Sequence, residues 1–253
     1  MHRDRVYILG SLVDKVTTKE ALQRIEHFIT EGTPHHIITA NAEIIYRGVI
    51  DKKLSRTLNK AHLVTADGSG VVWASHQLNN PVPERVTGIE LLNAICNKAQ
   101  EKKWKLYFLG AAPGVAQKAV LKVLELYPNC HIVGYENGYY SQEEEPKVIE
   151  NIKKVEPDIL FVALGAPKQE FWIREHLTEL GVPVCMGVGG SFDVLAGNVE
   201  RAPEWMQKNS LEWLFRLYKE PTRWRRMLAL PRFVLAVLGQ KANGSKESQS
   251  GRD

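Results

Sequence analysis

An aspartate that closes an apolar run and precedes two glycines, as in Thr65-Ala66-Asp67-Gly68-Ser69-Gly70, has two uses. It forms a turn, or it stands exposed as a carboxylate that can take a proton. A second apolar run ends in hydroxyl and amide groups at Ile38-Thr39-Ala40-Asn41-Ala42-Glu43. There Thr39 or Asn41 either caps the next helix or binds a polar ligand. The stretch Leu109-Gly110-Ala111-Ala112-Pro113-Gly114 follows a third run with small residues only. Small residues let backbone N–H groups and a helix N-terminus approach a phosphate, though any tight strand-to-helix turn also needs them. Two further runs end in glycine-rich loops with polar residues, Ala163-Leu164-Gly165-Ala166-Pro167-Lys168-Gln169-Glu170 and Gly187-Val188-Gly189-Gly190-Ser191-Phe192-Asp193. Gln169 and Asp193 are thereby expected near one another at one edge of a sheet, as candidates for ligand binding.

Several chemistries lack their signatures. There is no G-x-G-x-x-G loop for an NAD(P)-dependent oxidoreductase and no G-x-x-x-x-G-K-[ST] loop for ATP hydrolysis. H-E-x-x-H, G-x-S-x-G and Asp-x-Asp are also missing, so no cofactor and no metal are expected. Glu143-Glu144-Glu145 lies where a helix begins, and acids there favour the helix dipole.

The elements that must hold these loops are short β-rich runs alternating with segments of helical period. Strands are predicted at Val6–Leu9, His36–Thr39, His62–Ala66, Lys105–Leu109, His131–Val133, Asp158–Leu164 and Pro183–Val188. Thr17–Glu20, Thr87–Glu90 and Ser141–Glu144 match the S/T-x-x-E capping box that opens helices. From Lys105 to Gly190 the order is β-α-β-α-β-α-β, which gives parallel strands with right-handed crossovers. The predicted fold class is therefore α/β: a Rossmann-like, mostly parallel sheet flanked by helices, with a helical C-terminal appendage. Ligands of such sheets sit beyond the carboxyl ends of the strands, where all the loops above lie. The domain reading is a core over 1–202, a basic and aromatic helical appendage over 203–241, and a disordered tail over 242–253.

The net charge of +4 is unevenly spread. Trp213 to Gln240 carries +5 through Arg216, Lys219, Arg223, Arg225, Arg226 and Arg232 against Glu220, so the remainder sums to −1. These cations alternate with Trp213, Phe215, Tyr218, Trp224 and Met227, and Phe233–Leu238 follows as an apolar run. Pro221 and Pro231 are expected to cut the tail into three pieces. The mixture suits a membrane interface, the alternative being an amphipathic helix with a solvated basic face. Self-association would compete for the same apolar tail, so a homo-oligomer is a further possibility. A nucleic-acid partner is not expected, because it would leave the strand-end loops unexplained. Cys96, Cys130 and Cys185 form no CxxC pair, which points to a reducing compartment. The N-terminus lacks a signal-peptide core, and no run of about 18 apolar residues spans a bilayer. The expected location is the cytoplasm, peripherally on the inner face of the cell membrane.

Taken in order, ITANAEI (38–44), TADGSG (65–70), PERVTG (83–88), FLGAAPG (108–114), ALGAPKQE (163–170), GVGGSFDVLAG (187–197) and the basic segment 201–227 resemble the WecG/TagA/CpsF glycosyltransferases, glycosyltransferase family 26. The resemblance covers about Val6 to Leu238. It implies a metal-independent, inverting transfer of N-acetylmannosamine from UDP-N-acetylmannosamine to the C4 hydroxyl of N-acetylglucosamine on undecaprenyl diphosphate, as in teichoic acid biosynthesis. UDP-N-acetylmannosaminuronic acid is the alternative donor within the family. By motif, Asp67 is the implied general base, with Thr39, and Asn41 in the same loop, holding the sugar. Gln169 is implied to contact the donor and Asp193 its nucleoside, with Gly110, Ala111 and Gly190 in the binding loops. Arg85 is implied to touch a phosphate, and Arg216, Arg223 and Arg226 to close over the diphosphate. Ala40 stands where proline is expected in many relatives, which loosens that turn. On this reading, removing the chain from Trp205 onward leaves a folded core without activity.

Overall fold

The structure, a computed structural model, describes residues 4–209, 211–219, 221 and 228–250, with the side chains of Lys208, Arg216 and 244–250 outside that description. The chain opens with an antiparallel hairpin of β1 (Arg5–Ile8) and β2 (Ser11–Asp14). Leu9 and Gly10, both at positive φ, make its two-residue turn, the geometry that matches strand twist. The sequence predicted β1 and not β2. Asp14 ends the hairpin as a buried carboxylate that accepts Val64 N–H at 2.8 Å and pairs with Arg24 at 3.0 Å and Arg5 at 3.3 Å.

The core is a six-stranded parallel sheet in the order β4-β3-β8-β7-β5-β6. Its strands are β3 (His35–Ala40), β4 (Leu63–Ala66), β5 (Lys105–Gly110), β6 (His131–Glu136), β7 (Ile159–Ala163) and β8 (Val184–Gly187). The central strands read as unbroken apolar runs because helices cover both faces; all five residues of β7 are buried. One face carries α1 (Thr18–Glu31), α5 (Gly88–Lys102), α6 (Val115–Leu126) and α9 (Ser191–Leu195), which pack around Phe108, Phe161 and Phe192. The other carries α2 (Ala42–Ile50), α3 (Lys52–Lys60), α4 (Ser69–Gln77), α7 (Glu145–Val155) and α8 (Lys168–Leu180). After β3 the chain turns to the second face, and after neighbouring β8 it turns to the first. The two loops diverge and open a crevice at the middle of the sheet.

The helix starts follow the local signals. Thr17 and Glu20 form a complete capping box on α1, and Thr87 Oγ1 accepts Glu90 N–H at the start of α5. Ser141 and Glu144 exchange the same pair of bonds in the turn that leads into α7.

Beyond the sheet come α10 (Glu204–Lys208), α11 (Glu212–Lys219) and α12 (Ala229–Ser250). Pro231 does not divide the tail as predicted. It lies in the first turn of α12, where the missing N–H has no intrahelical partner to lose. The backbone stays helical through Ser250, past Ala242, where composition places the start of a disordered tail. Among the described residues no helix is long and apolar enough to cross a membrane.

At the opposite end of the sheet from the crevice, His36 is fully buried with Nε2 unpartnered. Burial, then the charges of His62 and Arg174, pushes its pKa down from 6.5 to about 3. The unfolded chain binds a proton there that the folded chain refuses. Its stabilising share is therefore present above pH 6.5 and lost as pH falls toward 3, by up to about 1.4 kcal/mol per pH unit. Urea unfolding between pH 7 and 4 should show that slope, and His36→Leu should flatten it. An unchanged slope in the variant contradicts the assignment.

Candidate active site

Four chain segments meet at the carboxyl ends of β3, β4 and β8. Thr39 pairs with Thr65, and Ala40 with Ala66, so the ends of β3 and β4 lie side by side. Val86 N–H bonds Ala66 O at 2.9 Å and Thr65 Oγ1 bonds Val86 O at 3.0 Å, which lays the segment before α5 along the end of β4. Asp67 follows at once. Its N–H is held by Ala40 O at 2.8 Å, and its Oδ2 accepts Gly88 N–H at 3.2 Å. Gly88 is the first residue of α5, so the half-buried carboxylate sits where the helix dipole favours negative charge. A Cβ on Gly88 would lie 3.2 Å from Thr39 Oγ1 and 3.7 Å from Ser191 Oγ. Thr39, Asp67 and Ser191 therefore surround one backbone position, although they are far apart in sequence. Asn41 is exposed, and its Oδ1 accepts Ile44 N–H at 3.0 Å, so it caps α2 beside this cluster.

Arg85 stands in a chain of alternating charge. Its guanidinium lies 3.4 Å from Glu212 and 3.8 Å from Glu90, and Arg201 bonds Glu90 at 2.5 Å. Burial pushes the Glu90 carboxyl up, but the Arg201 and Thr87 bonds and the charges of Arg201 and Arg85 outweigh it, leaving Glu90 below its ordinary range. Arg85 and Glu90 also line a groove of 720 Å³ with Ser69, Val72, Trp73 and Gln207. Ser69, two residues after Asp67, forms part of its wall.

On the far side of the crevice, Gly110 ends β5 at φ 126°, and a Cβ there would fall 2.5 Å from the Ala163 backbone. Only glycine fits. Ala111, also at positive φ, donates its N–H to Ala163 O at 2.8 Å, and its carbonyl accepts Gly138 N–H at 2.8 Å. Gln169, only 4% exposed, accepts Gly189 N–H on Oε1 at 3.0 Å. That bond joins the first turn of α8 to the turn that begins α9, where Gly190 is exposed and Asp193 half-buried. β7 and β8 are central strands, so this pairing stands at the middle of the sheet's carboxyl end. Among the described residues no three His, Cys, Asp or Glu side chains group to hold an ion.

The glycosyl transferase WecG/TagA/CpsF family model matches residues 6–247. Among curated relatives, an N-acetylglucosaminyldiphosphoundecaprenol N-acetyl-beta-D-mannosaminyltransferase of Bacillus spizizenii is 38% identical over 225 residues, which is 89% of this chain and 87% of the relative. The Staphylococcus aureus (strain MW2) enzyme of the same name is 35% identical over 239 residues, 94% and 93% of the two chains. This chain belongs to the WecG/TagA/CpsF glycosyltransferase family.

Thr39, Asp67, Arg85, Gln169 and Asp193, the residues the resemblance picks out, all lie at the carboxyl end of the sheet, and the tail departs from its expected arrangement. Of the three tail arginines, Arg216 lies on α11 with its side chain outside the described residues, and Arg223 and Arg226 are outside them altogether. The run Phe233–Leu238 was expected at the membrane as a unit. Instead Phe233 and Val237, one helical turn apart, are 1% and 0% exposed and pack with α2 and α4 in the core. Gln240 locks α12 further, accepting Leu9 N–H at 2.8 Å and donating to Tyr7 O at 2.9 Å. Only Val234, Leu235 and Leu238 of that run point outward to a large extent, at 37%, 70% and 43% exposure.

The sequence alone does not mark Ser191, nor the charged network in which Arg201 pairs with Glu90 and Arg85 links Glu90 to Glu212. Ser191 lies inside the GVGGSFDVLAG segment, but its hydroxyl, bonded to Val188 O at 2.7 Å, looks like that of an ordinary turn residue until Gly88 is seen beside it.

Proposed function

We propose that this glycosyltransferase moves N-acetylmannosamine from UDP-N-acetylmannosamine to the C4 hydroxyl of N-acetylglucosamine on undecaprenyl diphosphate, in teichoic acid or a related surface polymer. The names of its relatives support the acceptor and the β-linked product. The observation that carries the site is the convergence of Asp67 and Thr39 around the Gly88 amide.

In this reading the C4 hydroxyl lies against Asp67, which takes its proton as the oxygen attacks C1 of the donor sugar. The new C1–O bond forms on the face opposite the leaving group, the bond from C1 to the phosphate oxygen breaks, and UDP departs with the electron pair. Thr39 orients the sugar at the carboxylate. Charge on the diphosphate is met by Arg85 and by the Gly110–Ala111 turn, with Arg216, Arg223 and Arg226 proposed to close from the tail. Arg85 now faces Glu90 and Glu212 at 3.8 and 3.4 Å, contacts long enough for a phosphate to compete. Gln169 and Asp193 hold the nucleotide. The outward Leu235 and Leu238, together with exposed Trp213 and Tyr218, are proposed to meet the inner membrane surface that carries the acceptor.

Arginines and backbone amides take the place of a divalent cation here, since the sequence has no Asp-x-Asp to hold one against a diphosphate. Transfer to a lipid-diphosphate acceptor on liposomes should proceed at an unchanged rate in EDTA. Loss of activity in EDTA, restored by magnesium or manganese, contradicts the metal-independent mechanism.

A further inference from the structure

Glu170 is 1% exposed in the first turn of α8, an environment in which a carboxyl group is costly. Its Oε1 accepts a bond from Gln169 Nε2 at 2.8 Å, and its Oε2 has no partner. Burial pushes the group up to about 7, against the opposing effects of the Gln169 bond and its own backbone N–H. A hydrophobic residue of the same size would pack there at lower cost. The unit around it is built for the carboxyl, however. A Cβ on Gly187 would fall 2.7 Å from Gln169 Nε2 and 3.2 Å from Glu170 Oε1, so the glycine at the end of β8 leaves space for both side chains.

The consequence lies in the orientation of the Gln169 amide. An amide presents two donors at one end and an acceptor at the other. The Glu170 oxygen accepts, so the nitrogen end of Gln169 must face it and the carbonyl end must face Gly189. If the amide turned over, its NH₂ would oppose the Gly189 N–H, donor against donor. Gly189 sits at φ 54° and leads directly into Gly190, Ser191 and Asp193.

We infer that Glu170 is a positioning residue for the nucleotide sugar: through the Gln169 amide, its buried carboxyl sets the Gly187–Ser191 turn that presents Gly190 and Asp193 to the donor. The inference rests on the proposed function, in which that turn binds UDP. Glu170 touches neither substrate and takes no part in the chemical step.

The test uses the full-length protein, UDP calorimetry, donor KM and kcat, thermal melting, and amide exchange at Gly189. Glu170→Leu should raise the UDP Kd and the donor KM about tenfold, the worth of one well-placed hydrogen bond to a charged or buried group. Its kcat should stay within about threefold, its Tm should hold or rise, and Gly189 should exchange faster. Glu170→Gln still offers an oxygen to Gln169 and should recover near wild-type binding. A purely structural carboxyl would lose Tm and binding together. A folded Glu170→Leu protein with wild-type UDP affinity overturns the inference, as does a Glu170→Gln protein as weak as the leucine variant. Should the leucine variant not fold, Glu170→Asp replaces it, since its carboxyl is drawn back by one methylene. Weakened UDP binding there supports the role and unchanged binding overturns it. A wild-type protein that binds no UDP overturns the transfer reading instead, and this inference with it.

Discussion

Asp67→Asn is expected to cut turnover by roughly 10²-fold or more while leaving UDP-sugar binding nearly unchanged. The substitution keeps shape and an oxygen that can still accept Gly88 N–H, now 3.2 Å from Oδ2, so the end of β4 and the start of α5 should stay joined. What it removes is the capacity to take the acceptor's proton. The Asp67 N–H bond to Ala40 O belongs to the backbone and survives. Separate measurement of kcat, donor KM and Tm discriminates the roles. Normal turnover would return Asp67 to a turn-forming residue that merely caps α5. A parallel fall of kcat and Tm would say that the carboxylate chiefly holds the structure together.

Phe233→Ala is expected to cost roughly 3–5 kcal/mol of folding stability, the range for emptying a buried aromatic site. That is a large part of the roughly 5–15 kcal/mol that holds a domain folded. Phe233 is 1% exposed, and its ring edge would stand 3.9 Å from a Cβ on Gly70, in the first turn of α4, just after the loop that carries Asp67. Through it α12 packs on α2 and α4, the helices that begin at Ala42, capped by Asn41, and at Ser69. The tail is thus part of the wall behind the acceptor-side loops. Removal of the chain from Trp205 onward, expected from sequence to leave a folded core, should expose Val71, Ala74 and Ile45 and produce an unstable protein. Urea denaturation of Phe233→Ala gives the answer, and a loss under 1 kcal/mol would show that α12 is only loosely applied. Leu235→Ala, at 70% exposure, provides the contrast and should melt with the wild type.

Local signals in the chain suffice for the strands of the parallel sheet and for the caps. The runs ending at Ala66, Gly110, Ala163 and Gly187 are buried almost throughout because both faces of the sheet are covered, and each ends at glycine or a small residue. Thr17, Thr87 and Ser141 bond as their spacing to a glutamate implies. β2 escaped because four residues containing Ser11 and Asp14 carry little alternation, and the burial of Asp14 is supported by Arg5, Arg24 and Val64 N–H from elsewhere in the chain. The meeting of residues 39, 67, 88 and 191 depends on β3 lying between β4 and β8, an order that no periodicity encodes. Position 88 is the clearest case, since its glycine reads as a helix start until the Thr39 and Ser191 hydroxyls are seen against it. In the tail, the four-residue spacing of Phe233 and Val237 already describes one helix face. Six consecutive apolar residues obscured it, and only the contacts with α2 and α4 separate the inward pair from the outward Leu235.

The central claim is that this chain glycosylates a lipid-diphosphate-linked N-acetylglucosamine at the strand-end site. The most direct measurement is mass spectrometry of the product formed from UDP-N-acetylmannosamine and a short-chain lipid-diphosphate-N-acetylglucosamine, alongside the Asp67→Asn protein. The account predicts an acceptor heavier by one N-acetylhexosamine, one UDP released per product, and almost no product from the variant. An unmodified acceptor with the folded wild-type protein, or equal product from Asp67→Asn, would contradict it.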